Sequence, residues 1–184
     1  MSTTDPARPV PSHAPPPPPP APNMAPVANA LTLAGALPFI ALTAMIPLAR
    51  PLGEWLGNYA LAVQLGWVCG LALVVYAGVI LSFLGGIRFG FAVLQGRPLP
   101  LALSVLPSLA GALLALVGWV GLFTGFETVA AIALAALALC FLAQWLWDRG
   151  AAGAPSWFGP MRTRVTLIVV PTLLVAALLT WLAA

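Results

Sequence analysis

The sequence predicts an all-α integral membrane protein, a bundle of five transmembrane helices with its N-terminus in the cytoplasm and its C-terminus outside. Three observations carry that expectation. Of 184 residues, 61% are hydrophobic and 6% charged, against roughly 25% charged in soluble domains. A soluble fold of this size has too little interior to hide so much apolar surface. The apolar residues fall into five runs, each long enough to cross a hydrocarbon core of about 30 Å. The few charges lie between the runs and are shared unequally between their two sides.

Residues 1–28 are of different material, with eleven prolines, six of them consecutive from Pro15 to Pro20. Such a tract favours polyproline II and cannot build a core, so it reads as a disordered, proline-rich cytoplasmic tail preceding a transmembrane domain over 29–184. It lacks a basic n-region, and Arg8 is its single arginine, which fits neither a secretory signal nor a transit peptide. Docking into an aromatic-grooved partner domain is the alternative use of such a tail.

The first span covers about 29–49, where Pro38 and Pro47 predict a kink. The second lies in a long apolar stretch, 59–94, which as one helix would reach about 54 Å. Its membrane part is placed at about 60–84, after which Gly85 and Gly86 either break the helix or carry it into the headgroups. Every fourth residue here is small with one exception: Gly66, Gly70, Val74, Gly78, Ser82, Gly86 and Gly90. Small residues let backbones approach where lipid removes the hydrophobic drive. Steps of four advance about 40° each on a helix, so the row winds round the axis and predicts a central helix touching several others.

The third span, about 99–120, opens with Pro100, carries Ser104, Ser108, Gly111 and Gly118 as a small-residue side, and should bend at Pro107. A tight turn over 121–125 leads to the alanine-rich fourth span, about 126–147, which closes with Trp145 and Trp147. The loop over 148–161, with Pro155, Trp157, Phe158 and Pro160, suits the interface. The fifth span, about 162–182, begins with Arg162 and Arg164 and contains Pro171.

Five spans put Arg8, Arg88, Arg97, Arg149, Arg162 and Arg164 on one side and Arg50 alone on the other. The positive-inside rule then makes the first side cytoplasmic. Most tryptophans fall near span ends, as an aromatic belt requires.

Chemistry is sparse. His13, the single histidine, is in the tail, and Cys69 and Cys140 lie in different spans, so the sequence points to no metal, haem or other cofactor. Two buried thiols acting as small hydrophobes is the reading for the cysteines. Glu54, Glu127 and Asp148 sit at span ends or in loops, which argues against a proton-coupled pump. Arg88 lies among glycines, about one turn past the membrane part of its helix. It reads as a snorkelling anchor, or else as a partner of Asp148 or a lipid headgroup contact. Gln64, Ser82, Ser104, Ser108, Thr166 and Thr172, with Gln144 near a span end, serve interhelical hydrogen bonding or line a pore. No serine or threonine has a visible base partner, so enzymatic hydrolysis has no support. The arginines do not interleave with aromatics on a polar face, which leaves no footprint for nucleic acid.

The stretch Tyr76-Ala77-Gly78-Val79-Ile80-Leu81-Ser82-Phe83-Leu84-Gly85-Gly86-Ile87-Arg88-Phe89-Gly90 resembles the signature of small bacterial and mitochondrial membrane proteins related to transmembrane protein 69. Ser104-Val105-Leu106-Pro107 fits it, as do Asp148-Arg149, Pro155-Ser156-Trp157, Arg162 and Arg164. The signature often has tryptophan after the histidine or arginine where this chain has Phe89, a mild departure. The resemblance covers residues 30–184, is to a domain of unknown function, and implies a five-span architecture without an activity or a catalytic residue.

The functional expectation is a non-enzymatic multi-pass protein of the bacterial cytoplasmic (inner) membrane, a scaffold or assembly component. Its partners would be membrane lipids, and other membrane proteins or copies of itself. The rival is a small, oligomeric carrier or channel for a solute or lipid, with a membrane enzyme third. A packed interior favours the first reading, and a water-filled cavity lined by Gln64, Ser82 and Ser104 the second.

Overall fold

The computed structural model describes residues 24–151 and 153–183, all helix and turn. The proline-rich segment over 1–23, with Arg8 and His13, lies outside the described residues. The elements are α1 (Ala25–Trp55), α2 (Tyr59–Leu94), α3 (Pro98–Leu103), α4 (Leu106–Phe123), α5 (Glu127–Asp148) and α6 (Phe158–Ala183). Counting α3 and α4 together, five segments among the described residues are long and apolar enough to cross a membrane.

The helices start and stop for local reasons. α1 begins four residues ahead of the expected span because Pro26 occupies its first turn, where a missing N–H costs nothing. Residues 25–28 therefore belong to the bundle and not to the tail. Asn58 caps α2, its side chain accepting from the Leu61 amide at 3.0 Å. α2 then runs unbroken through Gly85 and Gly86 for 36 residues, about 54 Å, so it outreaches the bilayer. Gly96, at φ 62°, and Gly125, at φ 75°, make the turns after α2 and α4, where a left-handed backbone is needed. The third span is two pieces. Pro107 has no N–H for the carbonyl of Leu103, its fourth predecessor, and the chain steps between α3 and α4 at Ser104 and Val105.

In space α1, α2, α4, α5 and α6 form a closed ring in which each packs on the next and α6 returns to α1. α2 also reaches across to α5 and back onto α3, which makes it the most widely connected helix of the bundle. The core lies where α2, α5 and α6 converge, around Leu73, Leu81, Leu137, Phe141, Val169 and Leu173. Phe39 of α1 closes it, with its ring edge-on to Tyr76 at 5.0 Å and to Phe141 at 5.8 Å. The Tyr76 hydroxyl donates to the Gly35 carbonyl at 2.8 Å, tying α2 to α1. Large apolar side chains such as Leu31, Phe83, Leu113, Leu139 and Leu167 cover the outside. That surface belongs in lipid.

Close approach of helices is the dominant packing device. Gly78 of α2 and Gly111 of α4 face each other: a Cβ on either would come within 2.7 Å of the other's carbonyl oxygen. A Cβ on Gly85 would meet the Ser104 carbonyl at 2.7 Å, and one on Gly118 the Val74 side chain at 2.9 Å. A Cβ on Gly66 or Gly70 would make only ordinary contacts, with Ala49 at 3.7 Å and Leu122 at 3.4 Å. Ser82 contributes its carbonyl, which accepts from the Ser108 hydroxyl at 3.3 Å. Gly86 and Gly90 are exposed, and a Cβ added to either would meet nothing within 4 Å. The packing row does not extend to them. Seven residues bring a helix back to within about 20° of the same direction, whereas eight carry it about 80° round. The face that begins at Gly78 is therefore continued by Gly85, and the row of fours turns out of the interface.

Candidate functional site

One group of polar side chains is buried inside this apolar bundle, near the end where α2 and α5 finish and α6 begins. Asp148, the last residue of α5, accepts from the Arg162 Nε of α6 at 2.7 Å, with both side chains about 4% exposed. The second carboxylate oxygen accepts from the Gln144 amide at 3.1 Å, one turn back on α5. Arg88 of α2 is also buried, and its guanidinium lies over the Trp147 ring at 4.5 Å. Asp148 is near enough to attract it electrostatically. Three helices thus meet at one carboxylate, two guanidiniums, an amide and an indole.

The local sequence explains the arrangement. Gln144 and Asp148 are four apart on α5 and share a face. The connection after α5 brings the first turn of α6 back beside its end, so that Arg162 meets Asp148. Charges are costly in a lipid-embedded interior unless paired and hydrogen-bonded, and the Asp148 carboxylate meets both conditions. The cationic side is less complete. The Arg162 Nη2 atom is fully buried with no hydrogen-bond partner. Arg88 and Arg162 outnumber the single carboxylate, leaving a net charge of one plus. The same end carries two further polar links, Trp145 Nε1 donating to Thr163 at 3.0 Å and Arg149 over the Trp145 ring at 5.1 Å.

The expected pair of Arg88 with Asp148 takes a different form. Arg162 holds the direct ion pair, and Arg88 binds the aromatic ring one residue before the aspartate. Both are consequences of α5 ending in Trp147-Asp148, which points neighbouring side chains about 100° apart, one towards α2 and one towards α6. In sequence, Arg162, Gln144 and Trp147 show only as a topology signal, a span-end polar group and a belt residue. The i, i+4 spacing of Gln144 and Asp148, with arginines opening the next helix, is the signal from which the cluster could have been found.

Two apolar grooves flank the cluster. The larger, about 540 Å³, lies between α1, α2 and α6 and includes Arg162 in its wall. The other, about 420 Å³, lies between α2, α4 and α5 and includes Gln144 and Trp147. Gln64 is exposed, and the Ser104 hydroxyl donates to the Leu101 carbonyl at 2.6 Å, so these side chains do not join Ser82 in a common polar passage. Among the described residues no group of three or more histidine, cysteine, aspartate or glutamate side chains could hold a metal ion. Cys69 and Cys140 are free thiols on separate helices.

Fold and composition together define a multi-pass α-helical membrane protein. Residues 24–178 match the family described as "Protein of unknown function (DUF3429)", and the chain belongs to that family. No curated protein and no solved structure matches it.

Proposed function

We propose that this bundle is a non-enzymatic component of the bacterial cytoplasmic membrane that scaffolds or assists a partner assembly. The packed interior supports this reading most: α2 meets α4 backbone to backbone at Gly78 and Gly111, leaving no room for a permeant there. The outer faces offer apolar surface to lipid, to another membrane protein or to a second copy. The charge distribution supports the proposed orientation. Arg88, Arg97, Arg149, Arg162 and Arg164 lie near one end of the ring and Arg50 at the other, which favours a cytoplasmic N-terminus and an external C-terminus. The stretch from Tyr76 to Gly90 supports kinship with the transmembrane protein 69-like proteins, and neither that kinship nor the polar cluster suggests a reaction.

The test is native electrophoresis of the full chain extracted from its own membranes in mild detergent. A scaffold migrates well above its own 19.0 kDa plus micelle, and the extra mass contains another protein identified by mass spectrometry. Migration as a lone chain, combined with solute flux in proteoliposomes, would replace this reading with the carrier.

A further inference from the structure

We propose that the groove between α1, α2 and α6 holds one anionic phospholipid, its phosphate at the Arg162 guanidinium and an acyl chain running along the groove towards the bilayer centre. This goes beyond the scaffold reading and holds whether or not the bundle has a protein partner.

Shape is the first ground. The groove is bounded by Ala28 to Phe39 on α1 and by Phe91 to Ile80 on α2. Each stretch rises about 16 Å, close to half of a 30 Å hydrocarbon core and therefore the depth of one leaflet. Its volume of about 540 Å³ is within the 300–1,000 Å³ usual for sites that take a small organic ligand. The exposed Leu31 and Phe83 stand at its sides, so it opens laterally, where a lipid can enter. Trp157 and Phe158 line it near the start of α6, and an indole there is suited to the headgroup level.

Charge is the second ground and selects the headgroup. Arg162 lines this groove, is 3% exposed, and has an Nη2 that no protein atom satisfies. Its own charge is matched by Asp148, but Arg88 adds a buried cation to the same cluster. With a small turn of the Arg162 side chain to bring its buried Nη2 to the groove, a phosphodiester oxygen would pair that unsatisfied donor and neutralise the remaining charge together, which a zwitterionic headgroup does less well.

The experiment is native mass spectrometry of the full chain, delipidated and then titrated with phosphatidylglycerol or phosphatidylcholine of identical acyl chains. The wild type should retain phosphatidylglycerol with a roughly fivefold preference, the weight of one arginine charge near a membrane surface. Arg88→Gln should bring that preference close to unity while leaving the Asp148–Arg162 pair in place. Ala28→Trp fills the groove without touching a charge and should reduce retention of phosphatidylglycerol. It also keeps the test open if Arg88→Gln does not fold. Equal retention of both lipids by the wild type, or undiminished retention in Ala28→Trp, would overturn the proposal.

Discussion

Breaking the buried ion pair one partner at a time should give unequal losses that do not add. Asp148→Asn keeps the shape and the Gln144 contact but leaves Arg162 and Arg88 as two buried cations with no carboxylate between them. Removing one partner of a buried pair typically costs about 3–5 kcal/mol, and with side chains about 4% exposed no discount for solvent screening applies here. Arg162→Gln removes the short hydrogen bond but leaves Asp148 with Gln144 and with the nearby Arg88, which can offset the carboxylate. Its cost should fall nearer the roughly 1.5–3 kcal/mol of a hydrogen bond to a charged group. The double variant no longer holds an orphaned carboxylate or an orphaned Arg162, so it should be more stable than the sum predicts by about 2 kcal/mol, within the range for residues in contact. Equilibrium unfolding in mixed micelles, followed by intrinsic tryptophan fluorescence, measures all four corners of the cycle. Additive losses within about 0.5 kcal/mol, or an Arg162→Gln cost equal to that of Asp148→Asn, would refute the reasoning.

Other consequences are simpler. Tyr76→Phe removes the bond to the Gly35 carbonyl and keeps the ring packing on Phe39, so it should cost about 1 kcal/mol in the same unfolding assay. Trp67→Phe deletes an indole donor that reaches the Leu122 carbonyl at 3.2 Å and should loosen the far end of α4, detected as faster hydrogen exchange near Leu122 with little change at the polar cluster. Single cysteines placed at the two chain ends, in a variant lacking Cys69 and Cys140, should react with an impermeant maleimide from opposite sides of the membrane. Reaction of both ends from one side would contradict the five-span orientation.

The existence of the five spans was legible because composition and run length leave lipid as the only solvent for so much apolar surface. Proline at the start of α3, the bend at Pro107 and the turn at Gly125 were legible too, since each rests on local backbone chemistry. What the sequence hid was facing. Steps of four along α2 single out Gly86, but only three-dimensional crossing decides that Gly85 and not Gly86 meets the third span. For the same reason the long apolar stretch of α2 left open a break that does not occur: glycine permits a kink without requiring one. The polar cluster was half legible. Arg88 and Asp148 stand out as charges beside apolar runs, whereas Arg162 looks like one of several span-flanking arginines until the loop after α5 sets it against the carboxylate.

α2 is fastened into the ring at particular glycines. A single methyl group tests this when added at two sites on the same helix. At Gly78 the new Cβ meets the Gly111 carbonyl at 2.7 Å and the Ala115 side chain at 3.0 Å. The helices must part, with an overpacking cost of about 1–3 kcal/mol that exceeds the helix-propensity gain of up to about 1 kcal/mol. At Gly86 the methyl meets nothing within 4 Å, and only the gain remains. Measured side by side, Gly78→Ala should lower the unfolding midpoint and Gly86→Ala should raise it. Shifts of the same sign, or a stabilised Gly78→Ala, would contradict the account.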